Sequence, residues 1–590
     1  MTTTLRKSKD GKIVACLESS SGFPAIALVE RKCGQGIFRI APTEVLTPEA
    51  IQEDMLIACC AHSAAGRRAA QAFRLRLPTI KPNGYHIAPL DQGGRRLLLV
   101  VGGDLFGMLA GLSDALLHSE LTPRGLVYRG QARTENPAFS LRYYWTWDHS
   151  TNWVLDDVGN QMSGCGNQYL KQPQTYVEDY RRLVDHCIDM RFNGIVIWGF
   201  LRNAHGGERY AYEVAKYAAD RGVAILPGLG TTGYGGIYYE GRHPCNLETY
   251  LAGHPRRGNM WKDGQISARE SSPYYPENQK WLAESLEWLY RSFPVGGANM
   301  ENNDLMVDYS AAGKRGRAKI KSHEADYFKD QYFAYKTALE VAHRLAPQAF
   351  NTYATYSGFG RGHNISNAGA DMGAEPYFAK RMPPSAIAQW TITGMVSPKP
   401  ARLRDWMDSP RPAAVYENPR WPKGLCPPTP RSAGFLHQAS QWDSPLRRSA
   451  VAISTFAEGC LRAHESGLEG ISVHGEVTGR TLSWRLNYLT MRHWTYHPVS
   501  TLAEFVEAEL APRLGGVAEA RTFMECLCMV EDGKHLEAGK IAMDHGRAQF
   551  PYNYPARGDQ KTFRIWDELR EWAHIPHYTA SPAQGFTDIL

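Results

Sequence analysis

Eight short apolar segments, most of them separated by long amphipathic stretches, constrain this chain more than any other feature. They fall at 141–145, 194–198, 224–227, 297–300, 350–354, 386–390, 434–437 and 470–473. Buried strands alternating with crossover helices imply a parallel sheet, and eight is the number that closes a (β/α)8 barrel. The helical stretches are clearest at 173–190, 208–221 and 276–293. In the last of these Trp281, Leu282, Leu286, Leu289 and Tyr290 recur at three- and four-residue spacings, while Glu284, Glu287 and Arg291 face elsewhere. That is the pattern of a helix packed on a sheet. The expected fold class is α/β: a (β/α)8 TIM barrel over 136–482, an N-terminal α+β domain over 1–135 and a helical C-terminal extension over 483–590.

The length supports this division, because 590 residues exceed the roughly 250 that a barrel needs. Residues 20–135 read as a small α+β module with β-rich pieces at 84–89 and 96–101. Asp104 is placed to cap a helix running to about residue 120, whose buried face is Leu105, Met108, Leu109, Leu112, Leu116 and Leu117.

Composition excludes several function classes. A net charge of +6 is spread thinly over the chain, with no basic tail, so no nucleic-acid partner is expected. No segment approaches the ~20 apolar residues of a membrane span, and the basic N-terminus has no apolar run behind it. The expectation is therefore a cytoplasmic protein with no membrane partner. The 11 cysteines form no C-x-x-C pair and read as free thiols of a reducing compartment. Histidines 149, 205, 243, 254, 363, 437 and 474 show no metal-binding spacing, and neither a P-loop nor a G-x-S-x-G elbow is present. No cofactor or metal is expected. The glycine-rich segment 228–236 is read as a mobile lip of a cleft. The oligomeric state is open, and a homo-oligomer is compatible with the sequence.

Chemistry in such barrels sits at the carboxyl ends of the strands. Glu301 and Asp304 directly follow the fourth candidate strand. A lone acid there can also cap a helix or pair with an arginine, so its neighbours matter. The other strand ends supply Trp145, Trp147, Asp148 and His149, then Trp198 and Arg202, then Asn299 on the fourth strand. Tyr353 and Tyr356, Gln389 and Trp390, His437, and His474 with Glu476 follow. Aromatic rings beside carboxylates and amides suit a carbohydrate, whose ring faces stack while its hydroxyls hydrogen-bond. Glycoside hydrolysis needs a carboxylic acid and usually a second carboxylate, and Glu301 with Glu476 is the best such pair. Eight strands about 4.8 Å apart make a barrel roughly 15 Å across, so two facing Glu side chains leave about 7 Å, closer to inverting than to retaining geometry. Asp304 and Asp148 compete as the second carboxylate.

With those residues in place, the chain resembles the microbial α-glucuronidases and, more distantly, the β-hexosaminidases, over roughly residues 80–510. Trp147-Asp148 is similar to the His-Trp-Asp-Asn segment of the α-glucuronidases. Asn299-Met300-Glu301 resembles their Ala-Asn-Ser-Glu, and by that resemblance Glu301 is the general acid. The stretches 487–489 and 494–498 are similar to the Asn-Leu-Tyr and Trp-Asp-Pro sequences after their last strand. The chain departs from them at 389–394, which contains no acid where those enzymes carry water-activating carboxylates. The resemblance implies an exo-acting glycoside hydrolase taking an oligosaccharide or glycoside as substrate, with a uronic acid among the candidate sugars. Two rival readings remain: a substrate-assisted hexosaminidase-like enzyme using Glu301 and Asp304, and a non-catalytic carbohydrate-binding relative.

Overall fold

The structure, a computed structural model, describes residues 2–18, 24–47, 51–147, 173–302, 307–321, 325–355, 378, 381–392, 402–409, 424–436, 453–474 and 482–531. Its centre is a closed barrel of eight parallel strands. These are β1 (Leu141–Trp147), β2 (Gly194–Trp198), β3 (Ala224–Gly230), β4 (Gly297–Glu301), β5 (Phe350–Ala354), β6 (Ala386–Thr391), β7 (Ser432–Leu436) and β8 (Gly470–His474). Each pairs with the next in chain order, and β8 returns to β1 through Leu141 opposite Gly470. All eight expected segments are strands. The bounds differ most at β3, which runs on to Gly230, and at β7, which starts at Ser432 and stops before His437.

The crossover helices show why the alternation was readable. Helices α1 (Pro173–Met190), α2 (Gly207–Ala219), α3 (Pro276–Ser292) and α4 (Asp326–Leu345) each bury one stripe. In α3 the buried residues include Trp281, Leu282, Leu286 and Leu289, and Pro276 occupies the first turn, where no amide partner is lost. Further round lie α5 (Leu403–Asp408), α6 (Ile453–Glu465) and α7 (Leu482–Trp494). Helix α7 packs on both α6 and α1 and so closes the ring of helices. It belongs with the barrel, although the sequence placed nearly all of it in the C-terminal extension.

Before the barrel stand two sheets. One has three antiparallel strands, Thr3–Arg6, Gly125–Tyr128 and Ser119–Thr122; the other is a six-stranded mixed sheet with order Phe38–Ala41, Ile13–Leu17, Met55–Cys60, Arg95–Gly102, Tyr85–Gln92 and Arg133–Glu135. The helix Leu105–Leu117 covers the larger sheet, with Asp104 accepting from Gly107 N at 2.8 Å as its cap. Its other side meets α1, so it is buried nearly all round, Asp114 included.

Asp114 is the hub of an ionic cluster joining three parts of the chain. It accepts from Tyr85 Oη at 2.8 Å, Arg133 Nη2 at 2.7 Å and Arg492 Nη2 at 2.9 Å, and Arg191 stands 3.3 Å away. Arg191 follows α1 and Arg492 lies on α7, so one carboxylate ties the first domain to both ends of the barrel's helix ring. Burial alone would push the Asp114 carboxyl up; the three arginines overcome this and hold it well below the usual carboxylate range. Beyond it, Glu509 pairs with Arg492 and with Arg513. None of the ten described cysteines is in a disulfide. No helix among the described residues is long and apolar enough to cross a membrane.

Candidate active site

Side chains alternate across a strand, so each barrel strand sends every second residue inward. The lower interior is apolar, with Leu141, Val196, Leu226, Ile387 and Ala433 in one buried cluster. Above it lies a polar belt. Tyr143 Oη donates to Gln389 Oε1 at 2.8 Å, and the same oxygen accepts from Asn299 Nδ2 at 3.0 Å. Asn299 Nδ2 also reaches Thr352 Oγ1 at 2.8 Å. Strands β1, β4, β5 and β6 are thereby tied across the barrel by buried groups that satisfy one another. Burial pushes the Tyr143 phenol up, and the charge of Glu301 adds to the shift, so its hydroxyl stays a donor.

Glu301 forms the next layer. It ends β4 opposite Gly230 of β3, two residues beyond Asn299 and therefore on the same inward face. Only 7 % of it is exposed. Its backbone oxygen accepts from Thr231 N at 2.9 Å and from Thr231 Oγ1 at 3.2 Å, which fixes where the side chain starts. The Trp145 indole Nε1 then stands 3.3 Å from Glu301 Oε1 and 3.3 Å from Asn299 Oδ1. A carboxyl group aimed into the barrel mouth, oriented by an indole and walled by aromatic rings, can donate or accept a proton at a bound ligand.

The wall is built around Trp145. Its ring lies 6.0 Å from that of Trp198 and 6.1 Å from that of Phe435, and Tyr234 meets Trp198 edge-on at 5.5 Å. Trp198 fits because β3 carries Gly228 beneath it: a Cβ there would stand 2.5 Å from the indole. Arg202 is buried in the loop after β2, its Nε 2.9 Å from Glu240 Oε2 and its guanidinium 4.8 Å from the Tyr239 ring centre. The segment after Gly228 differs from the mobile lip that the sequence suggested. Gly230 N bonds Gly236 O at 3.3 Å and Gly236 N bonds Gly233 O at 3.0 Å, making a largely buried turn against the barrel.

The structure thus brings together Glu301, Asn299, Trp145 and Trp198, and sets Arg202 over Tyr239, which packs against the cluster that holds Trp145 and Trp198. Two expected mouth residues are corrected. Trp390 neighbours the inward Gln389 and so points the other way; it is fully buried and donates to Ser432 Oγ at 3.0 Å. Tyr353 neighbours the inward Thr352 and packs outward at 5.8 Å from Tyr335 of α4. Both belong to the layer between barrel and helices. Asp148, His149, Asp304, Tyr356, His437 and Glu476 lie outside the described residues, as do the side chains of Trp147 and His474. Tyr143, Thr352, Phe435 and Tyr234 were missed. Tyr143 was findable by counting back two from the inward Trp145, and Thr352 and Phe435 as the immediate neighbours of the outward Tyr353 and Leu436. Among the described residues no group of three or more His, Cys, Asp or Glu side chains is arranged to hold a metal ion.

No protein-family model matches the chain, and no curated protein matches it. Solved structures do. A family GH115 4-O-methyl-α-glucuronidase with specificity for decorated arabinogalactans aligns over 97 % of this chain and 72 % of its own, at 10 % identity and a TM-score of 0.57. A family GH138 enzyme targeting pectin rhamnogalacturonan II aligns over 97 % and 87 %, at 9 % identity and a TM-score of 0.51. A β-N-acetylhexosaminidase from Bacteroides fragilis follows with 12 % identity, 83 % and 89 % coverage and a TM-score of 0.48. At such identities the likeness is one of fold: the chain has the barrel, with its flanking domains, that glycoside hydrolases such as the GH115 α-glucuronidase are built on.

Proposed function

We propose that this protein is an exo-acting glycoside hydrolase that removes a terminal sugar from an oligosaccharide or glycoconjugate, with Glu301 as the general acid. One observation carries the reading: a nearly buried carboxyl at the end of β4, aimed into the barrel by the Trp145 indole. In the mechanism Glu301 gives its proton to the glycosidic oxygen as the bond to the anomeric carbon breaks. A second carboxylate activates water or attacks that carbon. Glu476 is the proposed second group, ahead of Asp304 and Asp148. The Trp145 ring, backed by the buried Trp198, supplies the apolar face on which a sugar ring packs. A uronic acid is the proposed sugar, with Arg202 as the cation at its carboxylate.

The test is sugar release from a panel of α- and β-linked aryl glycosides, including uronides and N-acetylhexosaminides, by wild type and Glu301→Gln, with the product anomer read by NMR. Hydrolysis of one class, lost in the variant, supports the assignment and fixes stereochemistry. Undiminished hydrolysis by Glu301→Gln of a glycoside whose leaving group needs protonation would reject it.

A further inference from the structure

The buried side chains beneath the candidate acid have no choice in how their polar atoms face. An indole nitrogen carries a hydrogen and no lone pair, so Trp145 Nε1 is only ever a donor. It stands 3.3 Å from Asn299 Oδ1, and turning that amide over would set two donors against each other. The Asn299 nitrogen therefore faces the other way, where it finds Thr352 Oγ1 at 2.8 Å and Gln389 Oε1 at 3.0 Å. Thr352 can accept because its own hydrogen goes to Ala298 O at 3.4 Å. Gln389 presents its oxygen, which also takes the Tyr143 hydrogen at 2.8 Å. Asn299 is 0 % exposed and offers no atom to a ligand, although its place near a strand end suggested a sugar contact.

The same indole hydrogen also serves Glu301, whose Oε1 lies 3.3 Å from Nε1. Two acceptors at equal distance, both beyond the usual length of roughly 2.9–3.0 Å, share one hydrogen, and neither receives a full bond. A donor at a carboxyl favours its ionised form, so drawing that donor away favours the protonated one. Asn299 holds its place in this competition because both hydrogens of its amide are engaged below it. Thr231 fixes the Glu301 backbone from the other side. Among the described residues, β1 brings Tyr143 to this carboxyl, and burial keeps that phenol protonated. The aromatic wall brings Tyr234 and Tyr239, with Arg202 paired to Glu240 over Tyr239. From β3, β5 and β6 come Thr231, Thr352 and Gln389, none of which carries charge.

Building on the hydrolase reading, we propose that Asn299 is a positioning residue for the general acid: it competes with Glu301 for the single hydrogen of Trp145, and Gln389 and Thr352 hold it to that task. The competition keeps the Glu301 carboxyl protonated to a higher pH than a full indole bond would permit. A general acid works best when it still holds its proton at the operating pH. The arrangement also serves the release of that proton. As Glu301 gives it to the glycosidic oxygen, the carboxylate becomes the stronger acceptor, and the indole bond swings from Asn299 towards it. The indole hydrogen stays on its nitrogen throughout, and no side chain has to move.

The experiment measures kcat/KM against pH on an aryl glycoside for wild type, Asn299→Leu, Asn299→Asp, Trp145→Phe and the Trp145→Phe/Asn299→Leu double variant. Infrared difference spectra across the same pH range follow the Glu301 carboxyl itself, its band assigned by its absence in Glu301→Gln. Asn299→Leu gives the whole indole hydrogen to Glu301, while Gln389 Oε1 keeps that of Tyr143. The alkaline limb and the infrared midpoint should then fall by about half a pH unit, with KM unchanged. Asn299→Asp keeps an acceptor of the same size at the indole, so its midpoint should lie at or above that of wild type. With Trp145→Phe there is no hydrogen to compete for, and adding Asn299→Leu should leave the midpoint where Trp145→Phe alone puts it. A midpoint that stays or rises in Asn299→Leu, or that moves equally with and without Trp145, would overturn the proposal. So would a raised KM with an unmoved limb. Should Asn299→Leu not fold, Asn299→Asp carries the test, and a fall in its midpoint overturns the proposal. If no glycoside is hydrolysed while the infrared midpoints move as stated, the hydrolase reading fails and the competition for the indole stands. Infrared midpoints unmoved by Asn299→Leu, beside hydrolysis that Glu301→Gln abolishes, overturn the competition alone.

Discussion

Trp145 and Glu301 sit on the first and fourth strands of the barrel, and the indole Nε1 of one stands 3.3 Å from a carboxylate oxygen of the other. The contact spans the mouth rather than joining neighbours, so the position of the proposed acid depends on closure of the whole barrel. A proton donor set this way needs no rearrangement when a ligand arrives.

Glu301→Gln keeps the size and the hydrogen bonds of the side chain while removing its proton chemistry. Turnover of a natural glycoside should fall by about 10²–10⁴-fold, with unchanged thermal unfolding. With an activated aryl leaving group the residual rate should lose the alkaline limb of its pH profile. A limb that persists in the variant would show that another group is the acid.

Trp145→Phe removes one donor to the carboxylate and keeps most of the ring. Since that donor favours the ionised form and a bond to a charged group contributes about 1.5–3 kcal/mol, the alkaline limb should move up by about one pH unit. The measurement is kcat/KM against pH on an aryl glycoside. A limb that stays in place or moves down would contradict the contact.

Asp114→Asn leaves Arg133, Arg191 and Arg492 buried without their shared counter-charge. Breaking a buried ion cluster on one side costs about 3–5 kcal/mol. Calorimetry should show a lower Tm and separation of the first domain's transition from that of the barrel. One cooperative transition at the wild-type temperature would mean that the cluster does not couple them.

Acid should loosen the C-terminal helices first. Burial pushes the His493 imidazole down to about 3, against the pull of Glu509. A His whose folded value lies below its unfolded one of about 6.5 stabilises the fold above that pH and ceases to do so as pH falls, by about 1.4 kcal/mol per unit, or roughly 3 kcal/mol by pH 4. Burial would raise Glu509, but Arg492 and Arg513 hold it at about 2; its share is present above about 4.5 and is lost only as pH falls towards 2. Urea unfolding from pH 7 to pH 4 should therefore be steeper in pH for wild type than for His493→Gln. Parallel curves would exclude His493 as the source.

The barrel was legible because each strand is a short apolar run between helices with a clear stripe, as at 194–198 before α2 and 297–300 after α3. The site was legible only in part. Glu301 and Asn299 could be read from their place at a strand end, but Trp390 and Tyr353 could not, because a fully buried strand is apolar on both faces and pattern alone does not say which is inward. The inward Gln389 held that information: a polar residue in such a strand marks the barrel side, and its aromatic neighbour must then face the helices. The Asp114 cluster was invisible for another reason. Its members are up to 378 residues apart in the chain, and no local spacing announces them.

The belt beneath Glu301 also bears on how a barrel of this kind can change. Gln389 Oε1 accepts from Tyr143 and Asn299 together, which leaves Asn299 Oδ1 free to face the Trp145 indole. Every amide in this floor is oriented by the next, so altering one member strands a donor or acceptor on its neighbour. Change is therefore barred at the floor and admitted in the loops above it, whose residues answer to no such chain of obligations. A lineage built on this barrel would keep Glu301 fixed and explore new ligands by rewriting its loops.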